Sequence, residues 1–201
     1  PSQESGTDVP GEGIYVNTAL SASYYTFDVD RYLTTQDIRR VNDYAASAPH
    51  DQIIVLINSP RYGGGGVYNY YSAVTADHKL TPKVLTHEFG HGFAGLADEY
   101  YSSEVAYEEF YPLDVEPWEP NITTRVNFDS KWKSLIAKSV PVPTPNEKRY
   151  IGVTGLFEGG GYSAKGIYRP SYDCRMKSNE ADSFCEVCQE ALEKMILFYL
   201  K

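Results

Sequence analysis

No stretch limits what this chain can fold into more than residues 86–100, which read Thr-His-Glu-Phe-Gly-His-Gly-Phe-Ala-Gly-Leu-Ala-Asp-Glu-Tyr. His87 and His91 stand four apart, with Glu88 directly after the first. On a helix of about 100° per residue the two imidazoles lie about 40° apart, one turn above the other. That is the geometry for two nitrogen ligands on one zinc ion. Glu88 falls about 100° round, beside a metal rather than on it, where it can take a proton from a bound water. Bare HExxH is rare by residue frequency, and here it sits in an amphipathic frame. Leu85, Phe89, Phe93 and Leu96 cluster on the side opposite the histidines, which predicts a buried helix with one polar stripe. Pro82 suits the first turn and Thr81 is the N-cap candidate.

Two histidines leave a catalytic zinc short of protein ligands. Asp98 is the next candidate, with Glu99 as its competitor. An unbroken helix would carry Asp98 about 10 Å along the axis, so the helix must stop and the chain turn back. Gly92 and Gly95 provide for that, because glycine accepts the left-handed conformation that ends helices. The spacing predicts a helix ending near Gly95, with Asp98 as third ligand.

Upstream, residues 1–13 are polar and glycine-rich and read as a mobile lead-in. Residues 14–27 read as one or two strands. Thr34 and Thr35 are N-cap candidates for a helix over about 36–48, with Ile38, Val41, Tyr44 and Ala45 as its buried stripe. The run Ile53-Ile-Val-Leu-Ile57 predicts a strand buried on both faces. Tyr62 and four glycines follow, marking backbone that bends sharply or approaches something closely. Residues 67–75 then read as a further strand, and this order describes a mixed sheet with helices against it. His78 is expected in a solvated loop.

Downstream, the acidic stretch with Glu104, Glu108, Glu109, Asp114, Glu116 and Glu119 offers oxygens of the kind Ca2+ prefers. No loop spacing supports such a site, and a solvated face is the simpler expectation. Asn121-Ile-Thr123 is a formal glycosylation sequon. Residues 131–138 suggest a short helix and 141–146 a proline-rich connector. Glu158, among glycines, is a candidate to support a metal ligand or merely a turn residue. The last fifteen residues predict an amphipathic helix.

Net charge of −9 argues against a nucleic-acid surface. No run of eighteen apolar residues exists, so no membrane span is expected. The chain opens Pro-Ser-Gln, which suggests a processed form, with a further N-terminal domain or targeting segment beyond it. Of the three cysteines, Cys185 and Cys188 form a CxxC, but no second cysteine or histidine pair accompanies it as a metal site would require. A disulfide from Cys174 to Cys185 or Cys188 is expected, implying an oxidising, extracellular, cell-surface or periplasmic location.

His87-Glu-Phe-Gly-His91, Gly95, Asp98 and the later Cys174-Arg-Met176 together carry a resemblance. The chain resembles the metzincin clan of zinc endopeptidases and, within it, the IgA-peptidase-type family, the igalysins. The stretches HEFGHGFAGLADEY, YGGGGVYNYYS and YRPSYDCRM carry the likeness, which covers roughly residues 20–200. One departure stands out: Ala94 occupies the position of the usual motif glycine, and Gly95 comes one residue late. Counted from Gly95, Asp98 falls at the third ligand.

The resemblance implies an α+β fold. An upper lobe, about 14–98, would carry a twisted mixed sheet with a backing helix and the active-site helix. A lower, irregular lobe, about 99–201, would carry a methionine turn at Met176 and the C-terminal helix, and 14–201 would form one catalytic domain. Substrate would lie extended along an edge strand, for which 67–75 is the candidate, with Gly65, Gly66, Tyr68, Tyr70 and Tyr172 as contacts. Some metzincins place a tyrosine two residues after the methionine. Here Ser178 stands there, and Tyr100, Tyr168 or Tyr172 are left as substitutes.

The implied activity is hydrolysis of protein or peptide substrates by one catalytic Zn2+ held by His87, His91 and Asp98, with Glu88 as general base. A zinc amidase on non-protein amides and a catalytically degenerate binding module are the alternatives. Glu88 speaks against the second, because a structural zinc needs no general base.

Overall fold

The computed structural model describes residues 4–101 and 110–201. The fold is mixed α+β, and the chain divides into two compact units, Pro1–Phe93 and Ala94–Lys201.

The first unit is built on a three-stranded mixed sheet. Strand β3 (Ile53–Ile57) runs parallel to β5 (Tyr71–Thr75), and β4 (Gly64–Val67) runs antiparallel to it, giving the order β3-β5-β4. All five residues of the central strand β5 are buried. Two short strands, β1 (Ala22–Ser23) and β2 (Thr34–Thr35), pair antiparallel beside it. Tyr24, Leu33, Val55, Ile57, Tyr71 and Ala73 form the core. Val9, on the segment expected to be mobile, is 8% exposed and packs into this core, and Asp8 bridges to Ser23.

Four expectations need correction here. Strand β3 is not buried on both faces: Val55 and Ile57 point inward, while Ile54 and Leu56 are 48% and 62% exposed. It is an edge strand covered on one side, so its apolar run is misleading. Residues 67–75 are not one strand, because 68–70 turn the chain between β4 and β5. The edge strand opposite β3 is therefore the glycine run itself, bridged at Gly64 to Tyr32. Helix α1 (Ile38–Ala45) is capped by the Asp37 carboxylate, which accepts from Arg40 N at 3.1 Å, while Thr34 and Thr35 belong to β2. Of its expected stripe only Val41 is buried; Ile38 and Tyr44 are more than half exposed.

Helix α2 (Thr81–Ala94) carries the two histidines. Thr81 opens the helix rather than preceding it, and its hydroxyl donates to Thr75 O at 2.7 Å and accepts from His78 N at 3.2 Å. His78 is part of that start: its Nδ1 accepts from Leu80 N at 3.2 Å and its ring meets Tyr62 edge-on. Proline in the first turn costs no hydrogen bond.

The second unit holds a hairpin of β6 (Phe157–Gly160) and β7 (Ser163–Arg169), short 3-10 turns and the terminal helix α3 (Glu186–Tyr199). Its apolar clusters are small and separate, one of them joining Ala94, Leu96, Cys174, Met176, Cys188 and Ala191. Residues 131–138 form a 3-10 turn, Lys133–Leu135, rather than an α-helix. Trp132 and Leu156 pack with Val187, and the Trp132 indole donates to Gly155 O at 2.7 Å. Among the described residues no helix is long and apolar enough to cross a membrane.

Candidate metal centre

Helix α2 lies against β4 and β5 at glycines. A Cβ at Gly64 would stand 2.7 Å from Val84 Cγ1 and 2.8 Å from Glu88 Oε1. A Cβ at Gly66 would stand 2.4 Å from Glu88 O and 2.7 Å from His91 Cβ. Gly65, on the opposite face by the two-residue alternation of a strand, would instead meet Leu33 O at 2.7 Å. None of the three has a left-handed φ, so closeness rather than turning requires glycine here. The helix is fastened from β5 and the turn before it as well: Ser72 Oγ donates to Glu88 O at 3.0 Å, and Asn69 N donates to Gly92 O at 2.8 Å.

On this platform His87 and His91 bring their Nε2 atoms to 3.1 Å, with ring planes at 83°. Two imidazole nitrogens on a tetrahedral zinc stand about 3.3 Å apart, from bonds of about 2.0–2.1 Å. The pair therefore fits one metal ion. Glu88 projects toward the Gly64 α-carbon, into space that a larger residue would fill.

After Ala94 the helix stops, and Gly95 takes φ 62°. In the second unit the chain then runs extended, and successive side chains diverge. Asp98, 5% exposed, accepts a short hydrogen bond from the Tyr162 hydroxyl, and its backbone O accepts from Gly161 N at 2.8 Å. Glu99, wholly buried, turns the other way: its Oε1 accepts from Asn121 Nδ2 at 3.0 Å and lies 3.2 Å from Cys188 Sγ. Glu99 thus faces the cysteines and Asp98 faces Tyr162. Burial, followed by the nearby Cys174 thiol, pushes the Glu99 carboxyl well above the usual carboxylate range.

The segment is held by Asn121. Its Oδ1 accepts from Ala97 N at 2.7 Å and its Nδ2 donates to Ala97 O at 2.9 Å, so one side chain pairs with both backbone groups of a residue as a neighbouring strand would. The sequon asparagine is therefore buried, with no exposed surface. Met176 is also wholly buried, in the turn at 175–177, and its O accepts from Glu99 N at 2.8 Å.

The remaining candidates stand elsewhere. Tyr70 donates to Ile38 O at 2.9 Å, and Tyr68 is 47% exposed. Tyr172 lies under the Lys177 ammonium, 4.9 Å from its ring centre, and Tyr168 is stacked by Arg125. Glu158 pairs with Lys165 across the hairpin at 2.9 Å, which holds its carboxyl below the usual range. Of the acidic stretch, Glu116 accepts from Asn127 N at 2.8 Å and Glu119 from the Tyr111 hydroxyl at 2.8 Å. Glu104, Glu108 and Glu109 lie outside the described residues. The tyrosine that reaches a candidate ligand is Tyr162, which sequence reasoning passed over; its signal was its place directly after three glycines. Arg169, 1% exposed, was also missed, and donates to Glu158 O, Gly159 O and Asn146 Oδ1.

The expected disulfide is absent. All three cysteines are free, and Cys174 and Cys188 keep their sulfurs 3.8 Å apart, against about 2.05 Å in a disulfide.

No curated protein matches the sequence. The sequence profile of one peptidase family, described as IgA Peptidase M64, matches residues 1–152 and 146–196, almost the whole length. With a histidine pair poised for one metal ion on a glycine-seated helix, this match places the protein: the chain belongs to the IgA Peptidase M64 family.

Proposed function

We propose that the protein is a zinc-dependent endopeptidase of metzincin type, with His87, His91 and Asp98 as zinc ligands and Glu88 as general base. The observation that carries this reading is the 3.1 Å approach of the two Nε2 atoms on a helix that also bears Glu88. The helix stop at Ala94 and the left-handed Gly95 support the return of Asp98, and the turning of Glu99 toward Cys188 favours Asp98 over it. Met176 takes the part of the methionine turn.

Bound zinc would supply Lewis acidity toward the scissile carbonyl and a water made acidic near neutral pH. The protein's own residues do the rest. The Glu88 carboxylate accepts the proton of the attacking water and hands it to the departing amine nitrogen. Tyr162, donating to Asp98, fixes which way that carboxylate points. Gly64 turns its N–H and C=O away from β5, to Arg31 O and Leu33 N. By the two-residue alternation Gly66 points its own pair the same way, and an extended peptide adds there as a further strand.

The test is zinc content together with cleavage of a denatured protein mixture and of immunoglobulin A, comparing the native chain with Glu88→Ala. One histidine-bound zinc in both proteins, with cuts from the native chain alone, is the expected result. Full activity in zinc-loaded Glu88→Ala would refute the role of Glu88. Zinc unchanged in a His87→Ala, His91→Ala double variant would refute the site.

A further inference from the structure

Well inside the second unit, Glu99, Cys174, Cys185 and Cys188 bring one carboxylate oxygen and three sulfurs within 4.8 Å of one another. Cys174 and Cys188 are wholly buried, as is Glu99. We propose that these four residues form a second metal site, a structural zinc bound by three thiolates and one carboxylate.

The spacing is that of a tetrahedron. Zinc–sulfur bonds of about 2.3 Å put two sulfurs about 3.8 Å apart, and a sulfur and an oxygen about 3.6 Å apart. The structure has Cys174 and Cys188 sulfurs at 3.8 Å, and Glu99 Oε1 at 3.2 Å and 4.0 Å from the Cys188 and Cys185 sulfurs. The Cys174 and Cys188 sulfurs are thus too far apart for a disulfide and correctly apart for a shared ion, with the Cys185 sulfur within 4.8 Å of both.

Glu99 gives an independent indication. Its Oε2 is buried and accepts no hydrogen bond among the described residues. A buried, unsatisfied carboxylate oxygen costs about 1–3 kcal/mol or more, so it requires a partner. Three soft sulfur donors with one oxygen select zinc over calcium or magnesium, which prefer all-oxygen sites.

The surroundings suit a charged thiolate site. Cys185 N donates to Cys174 Sγ at 3.2 Å. Cys185 caps α3 and Cys188 lies in its first turn, where the N-terminal end of the dipole favours negative charge. Arg169 and Lys177 both act electrostatically on Glu99, offsetting the excess negative charge of four anionic ligands on a divalent ion. Such an ion adds strong bonds between three places otherwise held by hydrogen bonds such as Glu99 N to Met176 O and Cys185 N to Cys174 Sγ: the segment after Gly95, the turn at Met176 and the start of α3. A unit whose apolar clusters are small and separate gains its stability from such a cross-link.

The test uses the full chain purified with reductant and without chelator. The His87→Ala, His91→Ala double variant isolates the proposed site from the peptidase centre. It is expected to retain one zinc, with X-ray absorption reporting sulfur ligands at about 2.3 Å. Adding Glu99→Gln or Cys188→Ser to it is expected to remove that zinc. Because Cys188→Ser removes a buried side chain and can unfold the unit, cobalt reconstitution of the double variant serves as a second reading. An intense thiolate-to-cobalt charge-transfer band is expected. A folded double variant that holds no zinc, or holds it through nitrogen and oxygen alone, overturns the proposal. Failure of the peptidase centre reads differently, as zinc unchanged when the histidines are replaced.

Discussion

Gly66→Ala tests how the catalytic helix is seated. The new Cβ would stand 2.4 Å from Glu88 O, a backbone atom, and 2.7 Å from His91 Cβ. An ordinary contact is about 3.5 Å, so α2 and β4 must separate locally by about 1 Å. Overpacking of this kind costs about 1–3 kcal/mol. At about 2–4 °C per kcal/mol for a chain of this size, Tm falls by about 2–12 °C. Because His87 and His91 ride on one helix, the pair moves together and zinc content is expected to stay unchanged. What shifts is Glu88 relative to β4, the strand proposed to receive the peptide. A misplacement of about 1 Å lowers kcat/KM about hundredfold. Gly65→Ala is the control, since its Cβ meets Leu33 O at 2.7 Å on the other face. It should lower Tm comparably and keep kcat/KM near that of the native chain. Equal activity losses in the two variants, or a Gly66→Ala protein with native Tm and native kcat/KM, would show that the glycines do not set the helix position.

Three further outcomes follow from other parts of the molecule. Tyr162→Phe removes the donor to Asp98 and should weaken zinc retention about tenfold to a hundredfold, read by competition with a chelating dye. Asn121→Ala leaves Ala97 N and Ala97 O without their partner and takes one donor from Glu99 Oε1, and should cost about 2–4 kcal/mol in urea unfolding. Tyr24, Tyr71 and Tyr111 are each raised above the usual value of 10.0, chiefly by burial. The folded state therefore holds their protons more tightly than the unfolded chain. Their contribution is complete below about pH 10 and is lost as pH rises beyond it. Urea midpoints should decline from pH 10 upward, and Tyr71→Phe should flatten the decline; a flat profile in the native protein would contradict it.

How much of this was legible follows from which interactions are local. The histidine helix was, because four-residue spacing, an apolar opposite face and a glycine stop are properties of the helix alone. The α1 stripe was not: Ile38 and Tyr44 have the right period but no surface to pack on, and periodicity cannot supply one. The glycine strand was hidden because glycine has no side chain to alternate. What identifies residues 64–67 as a strand is pairing with β5 and the pressure of α2, both distant in sequence. Tyr162 and Asp98 meet only through folding, and so do Glu99 and the cysteines. The CxxC looks like half a metal site without its other half because no second cysteine or histidine pair accompanies it in the sequence. Cys174 and a glutamate far upstream come to lie beside it instead.

Asn121 carries a consequence for how the protein can be made. It stands in an Asn-Ile-Thr sequon whose asparagine and threonine have no exposed surface, and its Nδ2 is shared between Ala97 O and Glu99 Oε1. A cell that glycosylates secreted chains meets this sequon before folding has hidden it. A sugar on Nδ2 has no room in the folded unit and takes away a donor that the Ala97–Glu99 segment depends on. Glycan and fold exclude one another at this residue. Production through a eukaryotic secretory route should therefore divide the chain into an unmodified, active population and a glycosylated, misfolded one, and Asn121 sets that division.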